Sequence, residues 1–242
     1  MPGRSKSFRV SADMPKKTTA AAILRKLKSL ANPRNVEGMA RFGIPTENAL
    51  GIPAPALKKI ARQIGRNQAI AESLWKSGIH EARCLAALVG DPERITEAQM
   101  ERWAKEIRAW DECDACCWYL FNLTPIAYRK AMQWSGRKEE FVKRAGFALM
   151  ASLALHDKSA GDTKFLKFLP AIKREANDDR NFVRKAVNWA LRQIGKRNPK
   201  LNTAAIRMAK EIRASETRSA RWIAADALRE LTGAAVQRRL RG

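Results

Sequence analysis

Trp189 stands among cations in a stretch with helical periodicity. At about 100° per residue, the apolar residues of 181–196 share one face, and Trp189 points almost directly away from them, between Lys185 and Arg192. An aromatic flanked by Lys and Arg is typical of surfaces that contact nucleic-acid bases, sugars and phosphates. The alternative is that Trp189 packs against a neighbouring helix. We favour the nucleic-acid contact.

Two acids in the run Trp110-Asp-Glu-Cys-Asp114 could take part in charge-dependent chemistry. Asp111 is a good helix N-cap, and Asp114 would lie near the same helix N-terminus, where negative charge is favoured, so both could be structural. The functional interpretation is a carboxylate at the mouth of a basic groove, where it would repel phosphates and so needs a catalytic or positioning role. Trp110 continues the apolar stripe of the preceding helix, which by itself indicates a core position.

Arg144 lies in a stretch that is apolar on nearly every side, so its charge needs a partner. Glu140, one turn earlier, could pair with it. The guanidinium could instead bind a phosphate across its small neighbours. The sequence does not separate the two.

The cysteines give little support to a metal site. Cys113-x-x-Cys116 has a metal-binding spacing, but Cys84, His80 and His156 do not form the second pair that a structural zinc site needs. Free cysteines are usually buried. We find no phosphate-binding loop, nucleophile elbow or HExxH motif. We therefore expect no metal and no cofactor.

The charge balance predicts a polyanionic partner. The 242 residues include 47 Lys and Arg against 24 Asp and Glu, a formal net charge of +23, and such an excess attracts phosphates. The longest apolar run, 145–155, is too short to span a bilayer, and residues 1–17 lack the apolar core of a signal peptide. We expect a cytoplasmic monomer that binds nucleic acid and no membrane.

The periodic segments predict an all-α protein with no convincing strand. Thr96-Glu-Ala-Gln99 is a capping box, and an apolar stripe follows it at helical spacing. We expect a flexible basic arm over 1–17, a single helical domain over 18–232 and a basic C-terminal tail over 233–242.

Short matches recur along the predicted domain. Phe141-Val-Lys-Arg-Ala145 resembles Phe182-Val-Arg-Lys-Ala186, and an R-x-x-A-A pattern occurs at 83–87 and 221–225. With Arg83, Asp114, Arg144, Lys185 and Arg221 taken as markers, the steps are 31, 30, 41 and 36 residues. These steps are close to the period of HEAT-type helical pairs. The sequence therefore predicts an α-solenoid of HEAT-like repeats with a concave basic groove. An irregular helical bundle is the alternative.

Three motifs occur in an order that carries a resemblance: Trp110-x-x-x-Asp114, then Val142-Lys-Arg-Ala145, then Lys185-Ala-Val-Asn-Trp189-Ala-Leu-Arg192. With them, the chain from about residue 22 to 231 resembles the AlkD-type bacterial DNA alkylation-repair family of HEAT-like DNA glycosylases. The resemblance implies a hydrolase of base excision repair. Its substrates would be cationic purines such as 7-methylguanine or 3-methyladenine in double-stranded DNA.

The resemblance also implies roles for single residues. Asp114 matches the family's catalytic carboxylate, Trp110 and Trp189 match two tryptophans that contact the deoxyribose, and Arg144 matches an arginine of the same cleft. It implies further that the lesion is not flipped into a dedicated base pocket, and the sequence offers no obvious one. Lys185 and Arg192 are expected to contact DNA. A non-catalytic module for damaged or branched DNA or structured RNA, and a protein-interaction scaffold, are the alternatives.

Overall fold

A computed structural model describes residues 19–241. Within that range every regular element is helical, which confirms the all-α prediction. The helices are α1 (Ala20–Ser29), α2 (Pro33–Ala40), α3 (Ala54–Ile64), α4 (Gln68–Lys76), α5 (His80–Val89), α6 (Glu97–Glu106), α7 (Trp110–Tyr119), α8 (Ala127–Ser135), α9 (Glu140–His156), α10 (Asp162–Leu166), α11 (Leu169–Glu175), α12 (Asn181–Gly195), α13 (Pro199–Arg213), α14 (Arg218–Leu231) and α15 (Ala234–Arg241). A short 3₁₀ turn, Phe121–Leu123, follows α7.

The helices form a solenoid of stacked pairs, as the repeat pattern predicted. One continuous row is formed by α3, α5, α7, α9, α12 and α14, each packed against the next. Outside the row, α4 packs on α5, α8 packs on α9, and α13 packs on α14. The residues that marked the sequence repeat all lie on helices of the row: Arg83, Asp114, Arg144, Lys185 and Arg221. Matching positions of successive repeats are therefore brought side by side.

Small residues let the central helices approach closely. Helix α9 lies between α8 and α12, and its residues 144–154 are all buried. A Cβ at Gly146 would lie 2.4 Å from the backbone nitrogen of Ser135, so only glycine fits this crossing of α8 and α9. Alanines on the same helix extend the close contact. The long buried helix thus fixes the spacing of the repeats on either side of it.

The capping box predicted at Thr96 is present. The Thr96 hydroxyl accepts a hydrogen bond from the Gln99 backbone N–H at 3.2 Å, and the Gln99 side-chain oxygen accepts one from the Thr96 N–H at 3.0 Å. These bonds satisfy two free donors at the start of α6. Local sequence signals therefore place this helix start correctly.

The C-terminal prediction needs correction. Residues 234–241 form α15 rather than a mobile tail, because Val236 is buried and the Gln237 side-chain amide donates hydrogen bonds to the Leu231 carbonyl and to Asn202. The basic arm predicted over 1–17 lies outside the described residues. Among those that are described, no helix combines the length and apolarity needed to cross a membrane.

Candidate nucleic-acid-binding cleft and active site

A cavity of about 470 Å³ lies where α7, α9 and α12 face the segment after α2. We call it the Asp114 cleft. It brings together five of the six residues that the sequence analysis selected: Trp110, Asp114, Arg144, Lys185 and Trp189. The remaining lining residues are Arg41, Phe42, Gly43, Asn181 and Phe182. Residues that are far apart in the chain therefore form one chemical site.

Asp114 is held in the cleft by Arg144. The Arg144 Nη2 donates to both carboxylate oxygens at 2.8 Å, and its Nε donates to Oδ1 at 3.1 Å. The Arg144 Nη1 donates to the Phe182 carbonyl at 2.8 Å. The pairing with Glu140 is therefore wrong, because Asp114, one repeat earlier, engages the guanidinium. Arg144 thus holds the Asp114 carboxylate in place. Phosphate binding by Arg144 stays a prediction.

The Asp114 carboxylate remains reachable although it is paired. Its side chain is 25% exposed, against 6% for Arg144. Burial raises the pKa of the Asp114 carboxyl above its ordinary value, and the Arg144 charge opposes that rise. The ion pair thus fixes the carboxylate and favours its ionised form while one edge stays open to the cleft.

Trp110 lies in the cleft rather than in the core. It is the first residue of α7, and three residues separate it from the end of α6 at Glu106. The apolar stripe that Trp110 continues in the sequence therefore belongs to another helix. The side chain is half-buried, and its Nε1 donates to the Phe42 carbonyl at 3.1 Å. Asp111 is not the N-cap, which is Ala109; its carboxylate instead lies 2.9 Å from His80 Nε2.

Trp189 is half-buried because it stacks on Trp118. The two ring centroids are 5.6 Å apart and the planes are inclined by 13°. The alternative of packing is thus partly right, since Trp189 packs while it also lines the cleft. Its contact with nucleic acid stays a prediction. Sequence reasoning missed Trp118. Its spacing was the available signal, because Trp110, Asp114 and Trp118 recur every four residues along one side of α7.

Replacing Trp189 by Ala is expected to lower the free energy of unfolding by an intermediate amount. The loss should exceed that caused by replacing an exposed Trp. It should stay below the roughly 3–5 kcal/mol caused by replacing a fully buried Trp, because the Trp189 side chain is only half-buried. Affinity for duplex DNA should fall as well. Thermal melts and DNA titrations measure the two effects, with Trp222→Ala on exposed Trp222 as the matched control. A full-sized stability loss with unchanged affinity would contradict a contact role.

The rim of the cleft carries two cations that no carboxylate neutralises among residues 19–241. Arg41 and Lys185 line the cavity, are exposed, and form no ion pair there. Arg192, also predicted to contact DNA, is not brought to the cleft. Its guanidinium pairs with Glu230 and lies 3.4 Å from Asp226, both on α14. The unneutralised charge at the rim therefore comes from Arg41 and Lys185.

The segment after α2 closes the cleft on its far side. Gly43 has φ +73°, and a Cβ there would lie 2.8 Å from Cζ of the Phe182 ring. The positive φ therefore favours glycine, and a larger residue would also have to displace the Phe182 ring. Phe42, whose carbonyl binds Trp110, is 68% exposed at the cleft mouth. Loop residues from one end of the solenoid thus lie directly against α7 and α12.

A larger cavity of about 720 Å³ adjoins the Asp114 cleft and shares Phe42, Trp110 and Asp114 with it. Most of its wall is apolar, and its floor includes His80, Cys84 and Asp111. Nothing in the sequence indicated such a space beside Asp114. A cavity large enough for a base therefore adjoins Asp114, although no dedicated pocket is obvious from the sequence. That the lesion is not flipped into a pocket stays a prediction.

His80 is the charged centre of that floor. Its Nε2 lies 2.9 Å from an Asp111 carboxylate oxygen, and its Nδ1 lies 3.3 Å from Glu112. Burial opposes the charged form of the imidazole, but hydrogen bonds with Asp111, Cys84 and Glu112 outweigh it and raise the pKa of His80 to about 12. Without a metal, His80 is therefore a cation between two carboxylates.

The stacked helical pairs, with an ionisable carboxylate and tryptophans in a cation-rimmed cleft, define a HEAT-like helical-repeat protein with a candidate nucleic-acid site. The sequence matches the family described as "DNA alkylation repair enzyme" over residues 23–231. The chain belongs to that family. The resemblance found in the three motifs is thus confirmed at the level of family and fold.

Two solved structures are similar to this chain, and the first of them supports the fold. One is described as "A new family of proteins related to the HEAT-like repeat DNA glycosylases with affinity for branched DNA structures", with a TM-score of 0.77, 20% identity, and coverage of 92% of this chain and 96% of that one. Another is a designed armadillo repeat protein in complex with a (KR)4 peptide, at a TM-score of 0.36 and 14% identity over 77% and 89% of the two chains. Curated protein sequences yield no significant match.

Proposed function

We propose that this protein is a DNA glycosylase that removes cationic N-alkylated purines, of the 7-methylguanine and 3-methyladenine class, from double-stranded DNA. The observation that carries the proposal is the Asp114 carboxylate, fixed by Arg144 in a cleft with Trp110 and Trp189. Membership of the DNA alkylation repair family supports it. We propose further that it acts as a monomer in the cytoplasm and that base excision requires no cofactor.

The reaction is a hydrolysis at the deoxyribose. The bond between C1′ and the base nitrogen breaks, and its electron pair leaves with the cationic purine, which departs as a neutral base. Positive charge therefore develops on the sugar. Water then adds to C1′ and loses a proton to Asp114 or to solvent, which gives an abasic site. A base that is already cationic leaves easily, so the protein needs no strong general acid.

The cleft residues suit this charge development. A fixed carboxylate at Asp114 stabilises an oxocarbenium-like sugar more strongly than the ground state, and this difference lowers the barrier. The indole faces of Trp110 and Trp189 add a cation–π contribution. Arg41 and Lys185 would bind backbone phosphates at the rim. Because the carboxylate acts on the sugar, the base itself need not enter a pocket.

The direct test is a duplex that carries one 7-methylguanine, incubated with purified protein. We expect free 7-methylguanine and an abasic strand at a rate well above spontaneous depurination. An unmodified duplex of the same sequence is the control. Absence of release, together with DNA binding that weakens steeply with salt, would overturn the enzyme proposal and favour a DNA-binding module.

That second candidate has an observation in its favour. Arg144 engages both oxygens of Asp114, as it would if the pair served only to join α7 and α9. A structural neighbour is described as having affinity for branched DNA. On this reading the cleft binds distorted DNA without cleaving the glycosidic bond. Its affinity for a four-way junction would exceed that for a linear duplex, whereas lesion excision would not occur.

A further inference from the structure

The floor of the larger cavity holds three side chains with the donor atoms that zinc prefers. His80 and Cys84 are four residues apart on α5, so they project from the same side of that helix. Asp111, in the first turn of α7, comes to the same place because α5 and α7 are neighbours in the row. Cys84 and His80 did not complete a second pair for the Cys113-x-x-Cys116 spacing, and spacing along the chain could not show that Asp111 joins them.

The distances suit a single metal ion. One ligand atom from each residue lies within 4.8 Å of the other two; His80 Nε2 is 2.9 Å from Asp111 Oδ2 and 4.0 Å from Cys84 Sγ. In a tetrahedral zinc site, bonds of about 2.0–2.3 Å place neighbouring ligand atoms roughly 3.3–3.7 Å apart. The observed separations lie on both sides of that range, so small side-chain adjustments would suffice.

The surroundings also suit a metal-binding histidine. The Nδ1 of His80 faces the buried Glu112 carboxylate at 3.3 Å, and Glu112 is itself fixed by the Arg108 backbone N–H at 3.1 Å. A carboxylate behind the imidazole is the usual outer partner of a zinc ligand, because it orients the ring and directs the other nitrogen at the metal. Here that other nitrogen faces Cys84 and Asp111.

Access and charge agree with this arrangement. All three ligands line the 720 Å³ cavity, so an ion could enter from it and the fourth coordination position would face open space. A thiolate and a carboxylate together balance the charge of a divalent ion, with His80 neutral. Three protein ligands and one open position are the coordination of zinc sites that bind water or a further ligand.

We propose that His80, Cys84 and Asp111 bind one zinc ion, whose open fourth position faces the apolar cavity. The site is separate from the Asp114–Arg144 pair and does not depend on the proposed function. The donor set of one thiolate, one imidazole and one carboxylate favours zinc over magnesium or calcium, which prefer oxygen ligands alone.

The test is a titration of the untagged, metal-stripped full chain with Co²⁺. We expect one equivalent to produce visible absorption and a near-ultraviolet thiolate band, both removed by one equivalent of Zn²⁺. Zn²⁺ should also raise the melting temperature, because it binds the folded state. Absence of stoichiometric binding at micromolar protein would overturn the proposal.

Variants assign the ligands. Cys84→Ser and Asp111→Asn should each weaken Co²⁺ binding at least about 100-fold, and Glu112→Gln about 10- to 100-fold. Cys116→Ala and His156→Gln should leave it unchanged, since these residues lie outside the group. The reverse pattern, with loss in Cys116→Ala and retention in Cys84→Ser, would show that the other cysteines bind the metal and would refute the proposal.

One measurement avoids variants altogether. In the wild-type protein, nitrogen NMR of the two histidines should show that Zn²⁺ shifts Nε2 of His80 from the protonated to the metal-bound position, while His156 does not change. A His80 signal that Zn²⁺ leaves unaltered would refute the proposal even if a metal binds elsewhere.

Discussion

The Asp114→Asn variant is expected to release 7-methylguanine at least about tenfold more slowly than the wild type, a rise of about 1.4 kcal/mol in the barrier. The amide has the shape of the carboxylate but no charge with which to stabilise the sugar cation. Duplex binding should persist or become slightly tighter, because a negative charge leaves a cation-rimmed cleft. Single-turnover release and DNA titration measure the two effects separately.

Stability must be followed alongside, because Arg144 loses its ionised partner in this variant. The asparagine oxygen can still accept from Arg144, so the fold should survive with a modest loss. Glu216→Gln, at an exposed acid between α13 and α14, is the matched control and should leave release unchanged. An Asp114→Asn protein that folds, binds and excises at the wild-type rate would mean that the ion pair is structural only.

Replacing Arg144 by Gln should cost about 3 kcal/mol of unfolding free energy, the lower end of what breaking a buried ion pair costs, since Asp114 keeps some solvent contact. The change leaves the carboxylate without its partner and the Phe182 carbonyl without its donor. Denaturant unfolding of Arg144→Gln, Asp114→Asn and the double variant forms a complete cycle. The double variant should lose less unfolding free energy than the two single variants lose together.

The loss of unfolding free energy caused by Arg144→Gln should depend on pH. Burial raises the pKa of the Asp114 carboxyl and Arg144 opposes this, so the variant has a still higher folded-state pKa. When the folded-state pKa of a carboxyl lies above its unfolded-state pKa, proton binding stabilises the folded state at low pH. This stabilisation is lost as the pH rises through the folded-state pKa. The difference between variant and wild type should therefore be largest near neutral pH and shrink in acid. The acid limb of excision should also move to higher pH. A pH-independent difference would contradict a role for the ion pair.

The position of a residue was predictable from the sequence where it depends only on the face of the residue's own helix. The helical wheel placed Trp189 and Lys185 on the face that lines the cleft, and the regular recurrence of similar pentapeptides predicted the stacked pairs. These signals are local, because one helix presents its faces at a fixed angle per residue. The same logic applied to Trp110 assigned it to the preceding helix, since periodicity alone does not show where one helix ends and the next begins.

Contacts between repeats could not be predicted in this way. The partner of Arg144 lies 30 residues earlier in the chain, and the carboxylate beside His80 lies 31 residues later. Both separations are close to one repeat, so the side chains meet only because successive helices stack in register. Arg192 shows the same limit, because acids on the next helix of the row pair with it. A wheel drawn for one helix contains no information about its neighbours.

The contacts made by the loop after α2 bear on how the solenoid unfolds. In a stack whose units touch only their neighbours, separate units can melt one at a time. The bond from Trp110 to Phe42 joins residues 68 positions apart, and Gly43 rests on the ring of Phe182. These links couple the first helices directly to α12. Opening of the first helices therefore weakens the packing of α12, and the reverse also holds, so amide protons of α2 and α12 should exchange through one shared, cooperative event.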